Sequence, residues 1–364
     1  MTLTGRLPEF PWDSLAGARR RAAEHPDGIV DLSVGTPVDP TPRAAREALA
    51  ASSDAHGYPT VWGTSQVREA IIGYLTRRWG ASGLAHESVI PVIGTKEFVG
   101  WLPTALGLGA GDVVVYPEVA YPTYEVGALA AGADASPCDD PEAIPQSTRL
   151  IWINSPANPS GRILTLSEMQ AWVAAARRVG AILASDECYG EFAWEGEALS
   201  VVDSRVNDGD LTGLLAVHSM SKRSNAAGYR AGFVAGDAEL VQNLVQARKH
   251  LGLMVPGPIQ AALAAMLDDQ EHVEQQRQRY LSRRAVLRLA LEKAGFTVEH
   301  SEGSLYLWVT RGEPCRDTIA WLAERGILAA PGDFYGASAS RHVRIALTAS
   351  DERIQAAANR LTAP

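Results

Sequence analysis

From about residue 89 onward, short apolar runs alternate with longer stretches of helical periodicity, and this alternation restricts the possible folds more than any other feature. A strand buried on both faces reads as a continuous apolar run, and repeated strand-helix-strand units build a mainly parallel α/β sheet. The runs predict strands over Val89 to Ile93, Val113 to Tyr116, Leu150 to Asn154, Ile182 to Ser185, Leu214 to His218 and Ala231 to Ala235. Helical patterns fall between several of them, at Lys96 to Leu106, Tyr121 to Ala131 and Ser167 to Val179, the last with Ser167 as its expected cap. A long helix is expected from Ile259 to Ala294 with a break at Asp268-Asp269, bridging to a smaller α+β lobe. That lobe carries strands near Ser304 to Val309 and His342 to Leu347 and helices near Arg316 to Glu324 and Asp351 to Leu361. The pattern divides the chain into a large domain at 36–282 and a small domain built from 1–35 and 283–364.

At 364 residues, 46% hydrophobic and 21% charged, the chain is long enough for a large core and a second lobe. The net charge of -9 and the scattered basic residues leave no nucleic-acid footprint. Arg19, Arg20 and Arg21 read as the polar face of a helix. Cys138, Cys188 and Cys315 are too few and too far apart for a disulfide framework or a zinc cluster. With no apolar leader and no membrane-length segment in the sequence, a soluble cytoplasmic protein is expected.

In a sheet of this kind ligands bind beyond the carboxyl ends of the strands, and there the polar residues gather. Asn154-Ser-Pro-Ala-Asn158-Pro-Ser-Gly161 follows one predicted strand, Asp186-Glu-Cys-Tyr189 ends the next, and Ser219-Met-Ser-Lys222 ends the third. Lys222 is one of only four lysines, the others being Lys96, Lys249 and Lys293. An amine whose pKa is lowered by neighbouring cations can form a Schiff base with an aldehyde. A carboxylate such as Asp186 at the end of a buried strand is costly unless it meets a cationic or protonated partner. Gly94-Thr95-Lys96 joins a strand to a helix, where free N–H groups favour an anion.

Asn-Pro-Ser-Gly, Asp-x-x-Tyr and Ser-x-Ser-Lys with a downstream Gly-Tyr-Arg together resemble the class I and II aminotransferases of fold type I, over essentially the whole chain. The resemblance implies pyridoxal 5'-phosphate as cofactor. Lys222 would carry it as a Schiff base and then shuttle a proton, Asp186 would face the pyridine nitrogen, and Tyr189 and Asn158 would hydrogen-bond the ring's phenolic oxygen. Gly94, Thr95, Lys96, Ser219 and Arg230 would hold the phosphate, Tyr121 would stack on the ring, and Tyr58 would reach the phosphate of a neighbouring subunit in a homodimer. Arg344, in His-Val-Arg-Ile-Ala-Leu, would take the α-carboxylate of the substrate with Gly35 and Asn158 close by. The implied partners are an amino donor and a 2-oxo acid, with no nucleic acid and no membrane.

Three segments are most similar to bacterial succinyldiaminopimelate aminotransferases: Leu-Pro-Glu-Phe-Pro-Trp-Asp at the start, Gly-Thr-Lys-Glu with Trp-Leu-Pro-Thr after it, and Pro-Glu-Val-Ala-Tyr-Pro-Thr-Tyr-Glu-Val. Lys96 either helps the phosphate, meets a distal carboxylate of a long substrate, or simply faces solvent in the first turn of its helix. The same lysine chemistry serves a broad aspartate or aromatic aminotransferase and a carbon-sulfur lyase. A non-catalytic sensor of this fold is the reading from a different class, and the short segment before the aminotransferase-like region disfavours it.

Overall fold

The computed structural model describes residues 3–363; Met1, Thr2 and Pro364, the outer ends of the expected small domain, lie outside the described residues. The main sheet has seven strands: β1 (Val89–Val92), β2 (Val113–Tyr116), β3 (Asp134–Pro137), β4 (Thr148–Asn154), β5 (Ile182–Asp186), β6 (Leu214–Ser219) and β7 (Gly232–Gly236). Their order is β1-β7-β6-β5-β4-β2-β3. Strands β2 to β6 pair in parallel, whereas β7 runs antiparallel to both β6 and β1. The reversal follows from the link between β6 and β7, which holds only the short helix Met220–Arg223 and the turn Ala227–Tyr229. A parallel crossover needs a longer connection, so the strand doubles back. The sheet is thus mainly parallel, as expected, and mixed through this one reversed strand.

β3 escaped the sequence reading because Asp134–Pro137 lacks a β-branched run and is partly exposed at the sheet edge. The helix Leu166–Val179 is capped by Thr165, not Ser167: the Thr165 hydroxyl accepts from the Glu168 amide while Glu168 receives the Thr165 amide. That reciprocal box fits the threonine, three residues ahead of the glutamate, better than the serine inside the first turn. The long helix breaks at the acidic pair into Gly257–Asp268 and Glu271–Lys293.

Each face of the sheet is covered. Ile151, Ile153, Leu183 and Ala216 pack on one side with Ile71, Trp172 and Leu263, while Leu150, Trp152, Ala184 and Val217 pack on the other with Phe98, Tyr124 and Leu244. The chain therefore reaches solvent at the strand ends, which is where β4, β5 and β6 deliver Asn154, Asp186 and Ser219.

A second, antiparallel sheet runs Ala330–Pro331, His342–Ala346, Tyr306–Thr310, Thr297–Glu299. Val30–Asp31 pairs in parallel with Ile327–Leu328, and Leu15, Val30 and Leu32 share a buried cluster with Leu305, Leu307 and Ile345. The amino-terminal segment thus packs on the lobe made by the carboxyl-terminal one. In this sheet Arg344 lies opposite Trp308, and Tyr306 is two residues away on the same face. That face looks across the cleft to the ends of β4 and β5.

Candidate active site

Lys222 sits in the one-turn helix that follows β6, and its Nζ donates to the carbonyl oxygen of Gly35. Burial lowers its pKa, with Arg344 and Arg230 adding repulsion against the partial support of Tyr306 and Cys188. The amine is therefore neutral more readily than an ordinary lysine, as a base or nucleophile requires.

Asp186 ends β5 and is buried. Burial raises its pKa, opposed by hydrogen bonds from Cys188 and Tyr124. The Tyr124 hydroxyl donates to Oδ2 at 2.8 Å and the Cys188 amide to Oδ1 at 3.2 Å. Among the described residues no lysine or arginine pairs with it, so a cationic ligand atom is the natural complement. Tyr124, stacked on Trp152 at 5.1 Å, was not singled out from the sequence; its sole signal was a second tyrosine in Tyr-Pro-Thr-Tyr.

Asn158 and Arg344 meet across the cleft. Arg344 Nη1 donates to Asn158 Oδ1 at 2.8 Å and Nη2 to the Ser33 carbonyl at 2.7 Å, while its buried Nε has no partner. Its guanidinium carbon lies 3.9 Å from the Tyr306 ring centre. Among the described residues this buried cation has no carboxylate, and an incoming carboxylate would supply one. Tyr189 lies with its hydroxyl 3.0 Å from that of Tyr306. Tyr306 links four expected site residues, Lys222, Tyr189, Arg344 and Gly35, yet the sequence reading passed over it. Its alternation with Leu305 and Leu307 reads equally as a core strand.

A second group of cations gathers at the head of the helix Thr95–Ala105. Gly94 has φ 72°, and a Cβ there would lie 2.2 Å from the Arg230 guanidinium. Glycine is what lets the loop and the arginine approach. Lys96 has its pKa lowered by burial and then by Arg230. Glu97, the adjacent carboxylate, is engaged by Arg248 at 3.0 Å, so neither Lys96 nor Arg230 has an ion-pair partner among the described residues. The Thr95 hydroxyl is 3.4 Å from the Cys188 sulfur, which ties this loop to the end of β5. Tyr121 stands edge-on to Tyr124 at 5.7 Å, with burial pushing its phenol up to about 12. The Ser219 hydroxyl accepts from the Ser221 amide as the cap of the Lys222 turn.

The structure thus gathers Gly35, Gly94, Thr95, Lys96, Tyr121, Asn158, Asp186, Tyr189, Ser219, Lys222, Arg230 and Arg344 along the strand ends and the facing lobe. Tyr58 is the exception. It is 96% exposed and makes no hydrogen bond or ring contact within the described chain. Tyr58 therefore stays apart from the residues gathered in this chain.

A buried amine, a buried carboxylate without a cation and an anion cradle define a class, and comparison with known proteins agrees on it. The family described as aminotransferase class I and II matches residues 27–361, and the chain belongs to it. It is 56% identical to a probable aminotransferase of Mycobacterium tuberculosis over 99% of this chain and 86% of that protein. It is 54% identical to the 4-dedimethylamino-4-oxo-anhydrotetracycline transaminase of Streptomyces rimosus over 98% and 99% of the two chains. It is 32% identical to LL-diaminopimelate aminotransferase 2 of Nostoc over 98% and 96%. Among solved structures, an aminotransferase from Staphylococcus aureus superposes with TM-score 0.89 at 25% identity, covering 100% of this chain and 98% of that one.

Class I and II aminotransferases use pyridoxal 5'-phosphate. The residues fit that group on three counts. Arg230, Lys96 and the helix head offer unpaired positive charge for a phosphate, Asp186 offers a buried carboxylate for a protonated ring nitrogen, and Lys222 offers an amine for the aldehyde. No helix among the described residues is long and apolar enough to cross a membrane.

Proposed function

We propose that this aminotransferase moves the amino group of N-succinyl-L,L-diaminopimelate to 2-oxoglutarate. The observation that supports it is the meeting of three segments that the sequence singled out separately. Lys96 Nζ lies 5.7 Å from the Phe10 ring centre and 6.0 Å from that of Tyr121. Phe10 comes from the opening Leu-Pro-Glu-Phe-Pro-Trp-Asp, and Trp12 of the same segment packs on Phe334 at 5.0 Å. An unpaired ammonium between two aromatic faces suits the distal carboxylate and apolar stem of a long dicarboxylic amino acid. The 32% identity to a diaminopimelate aminotransferase points to a substrate with the same carbon frame.

In this reading Arg344 binds the α-carboxylate and Asn158 fixes the guanidinium plane. Arg230, Thr95, Ser219 and the Gly94 loop hold the phosphate, and Tyr121 covers the ring. Tyr58 of a second subunit completes the cradle in a homodimer. Pyridoxal phosphate, when bound, supplies an electron-accepting ring that stabilises charge released at the substrate Cα. Asp186 would hold the proton of the ring nitrogen, and the Tyr124 hydroxyl favours its ionised form against the effect of burial. The Lys222 amine, its lowered pKa making it a competent base, would hold the proton taken from the substrate Cα and give it up again to the cofactor's reacting carbon. Tyr189 and Asn158 would donate to the ring's phenolic oxygen. With the domains taken as 36–282 and 1–35/283–364, Arg344 belongs to one body and Lys222 to the other, so the substrate is held between them.

A second reading is favoured by the 54% identity to the tetracycline transaminase: a 4-oxo-anhydrotetracycline as the amino acceptor. The purified pyridoxal form, mixed with glutamate, aspartate, phenylalanine and N-succinyl-L,L-diaminopimelate in turn, separates the two. Loss of the cofactor's visible absorbance with glutamate and the succinylated donor alone supports the first. Loss with glutamate alone, followed by recovery on addition of a 4-oxo-anhydrotetracycline but not of 2-oxo acids with long side chains, replaces it with the second.

A further inference from the structure

We propose that the Tyr306 hydroxyl is a second acceptor for the single proton of Tyr189, and that Tyr306 relays carboxylate binding at Arg344 to the cofactor by setting where that proton points. The inference rests on the roles given above to Lys222, Tyr189 and Arg344. It adds a positioning residue that acts through Tyr189.

Tyr306 reaches from the small sheet across the cleft and is 2% exposed. Its hydroxyl stands 3.0 Å from that of Tyr189 with either oxygen able to donate, and its ring centre lies 3.9 Å from the Arg344 guanidinium carbon. Gly35 makes room for it, since a Cβ at that position would fall 2.2 Å from the Tyr306 oxygen. The carbonyl of the same glycine receives Lys222. One side chain therefore lies with its hydroxyl against Gly35 and the Tyr189 phenol and with its ring against the arginine that awaits the substrate.

A phenol carries one proton and can donate it to one acceptor at a time. When Tyr189 donates to Tyr306 it cannot donate to the cofactor's ring oxygen. When Tyr306 donates instead, the Tyr189 proton is free for that oxygen. Both hydroxyls keep one proton in either arrangement, so only O–H rotation is required.

The charges around Tyr306 select between the two. Arg344 faces it as a cation in the free and the loaded protein and Lys222 only until it takes the cofactor, with Tyr189, Cys188, Tyr335 and Tyr121 as the neighbouring neutral groups. Burial pushes the Tyr306 phenol up, but Arg344, Lys222 and the Tyr189 hydrogen bond outweigh it and hold the phenol below its usual range. An unpaired Arg344 thus makes Tyr306 the stronger acid of the two phenols, so Tyr306 donates and the Tyr189 proton is free for the cofactor's ring oxygen. A carboxylate on Arg344 cancels that pull across the 3.9 Å contact. Tyr306 then becomes the acceptor, and Tyr189 turns its proton from the cofactor to Tyr306. The occupied site differs electronically from the empty one before any bond to Cα breaks.

The test compares cofactor-loaded parent and Tyr306→Phe, which keeps the ring beside Arg344 and removes the oxygen. The pH midpoint of the visible absorption band is measured with and without saturating maleate, a carboxylate that does not react. Maleate should move the parent's midpoint by about one pH unit and the variant's by about half of that or less. Gly35→Ala, which displaces the Tyr306 oxygen without altering the residue, should reproduce the smaller displacement. A displacement in both variants equal to the parent's overturns the relay. A parent band that ignores both pH and maleate instead removes the assignment of Lys222 and Arg344.

Discussion

Tyr124→Phe isolates the contact that favours ionisation of Asp186 against the effect of burial. The phenylalanine keeps the ring on Trp152, 5.1 Å away, and removes only the hydroxyl that donates to Asp186 Oδ2 at 2.8 Å. A hydrogen bond to a charged group contributes about 1.5–3 kcal/mol, and at 1.36 kcal/mol per unit its loss raises the carboxyl pKa by about one to two units. The sign follows from linkage. Burial already holds the folded pKa of Asp186 above its ordinary value, so in the cofactor-free protein this group favours the fold at low pH, and that contribution fades as pH rises through the folded pKa. Removing the donor moves the folded pKa higher still. Parent and variant should then be nearly equal in stability at about pH 4, with the variant falling behind as pH rises through the parent's folded value to a constant deficit of about 1.5–3 kcal/mol. Urea denaturation of both cofactor-free proteins across that range measures it. A deficit that is the same at every pH would show that the hydroxyl acts through packing, and the reasoning about Asp186 would fall.

Lys222→Ala should abolish catalytic transamination while leaving the melting temperature of the cofactor-free protein near the parent's; retained turnover removes the centre of the proposed site. Arg344→Gln loses a charge that the substrate carboxylate needs, and kcat/KM should drop by about 100-fold or more for every amino donor, since the α-carboxylate is common to all. Lys96→Ala should raise KM about tenfold for the succinylated donor and much less for glutamate; an equal rise for both returns Lys96 to phosphate binding alone. Arg283→Met breaks a buried pair in which Nη1 and Nη2 grip Asp39 at 2.7 and 2.8 Å, and denaturation should register a loss of about 3–5 kcal/mol. Asp39 has its pKa held down by Arg283 against the opposing effect of burial, so the variant's deficit should shrink as pH falls through the carboxylate range.

The sequence by itself determined the strand-helix alternation, because a strand buried on both faces needs a continuous apolar run and cannot hide it. It also determined which residues stand at the strand ends, since polar side chains such as Asp186 and Lys222 stop such a run. Thr165 shows a local signal that was present and misread, the capping box being visible in Thr-Leu-Ser-Glu. Other features were decided only in three dimensions. The antiparallel turn of β7 depends on how little chain joins it to β6, and the edge strand β3 depends on a neighbour that supplies half of its hydrogen bonds. The Arg344–Asn158 contact spans 186 residues and two lobes, and no local pattern encodes such a distance. Tyr306 and Tyr124 make the same point: each reads as a core aromatic in its own segment, and acquires a role through an oxygen atom whose partner the fold alone brings near. The tertiary structure also set the balance of charge, by engaging Glu97 with Arg248 and leaving Lys96, Arg230 and Arg344 without carboxylates among the described residues. Of the three only Arg344 is buried, and there the cost of an unpaired charge prepares the site to receive a carboxylate.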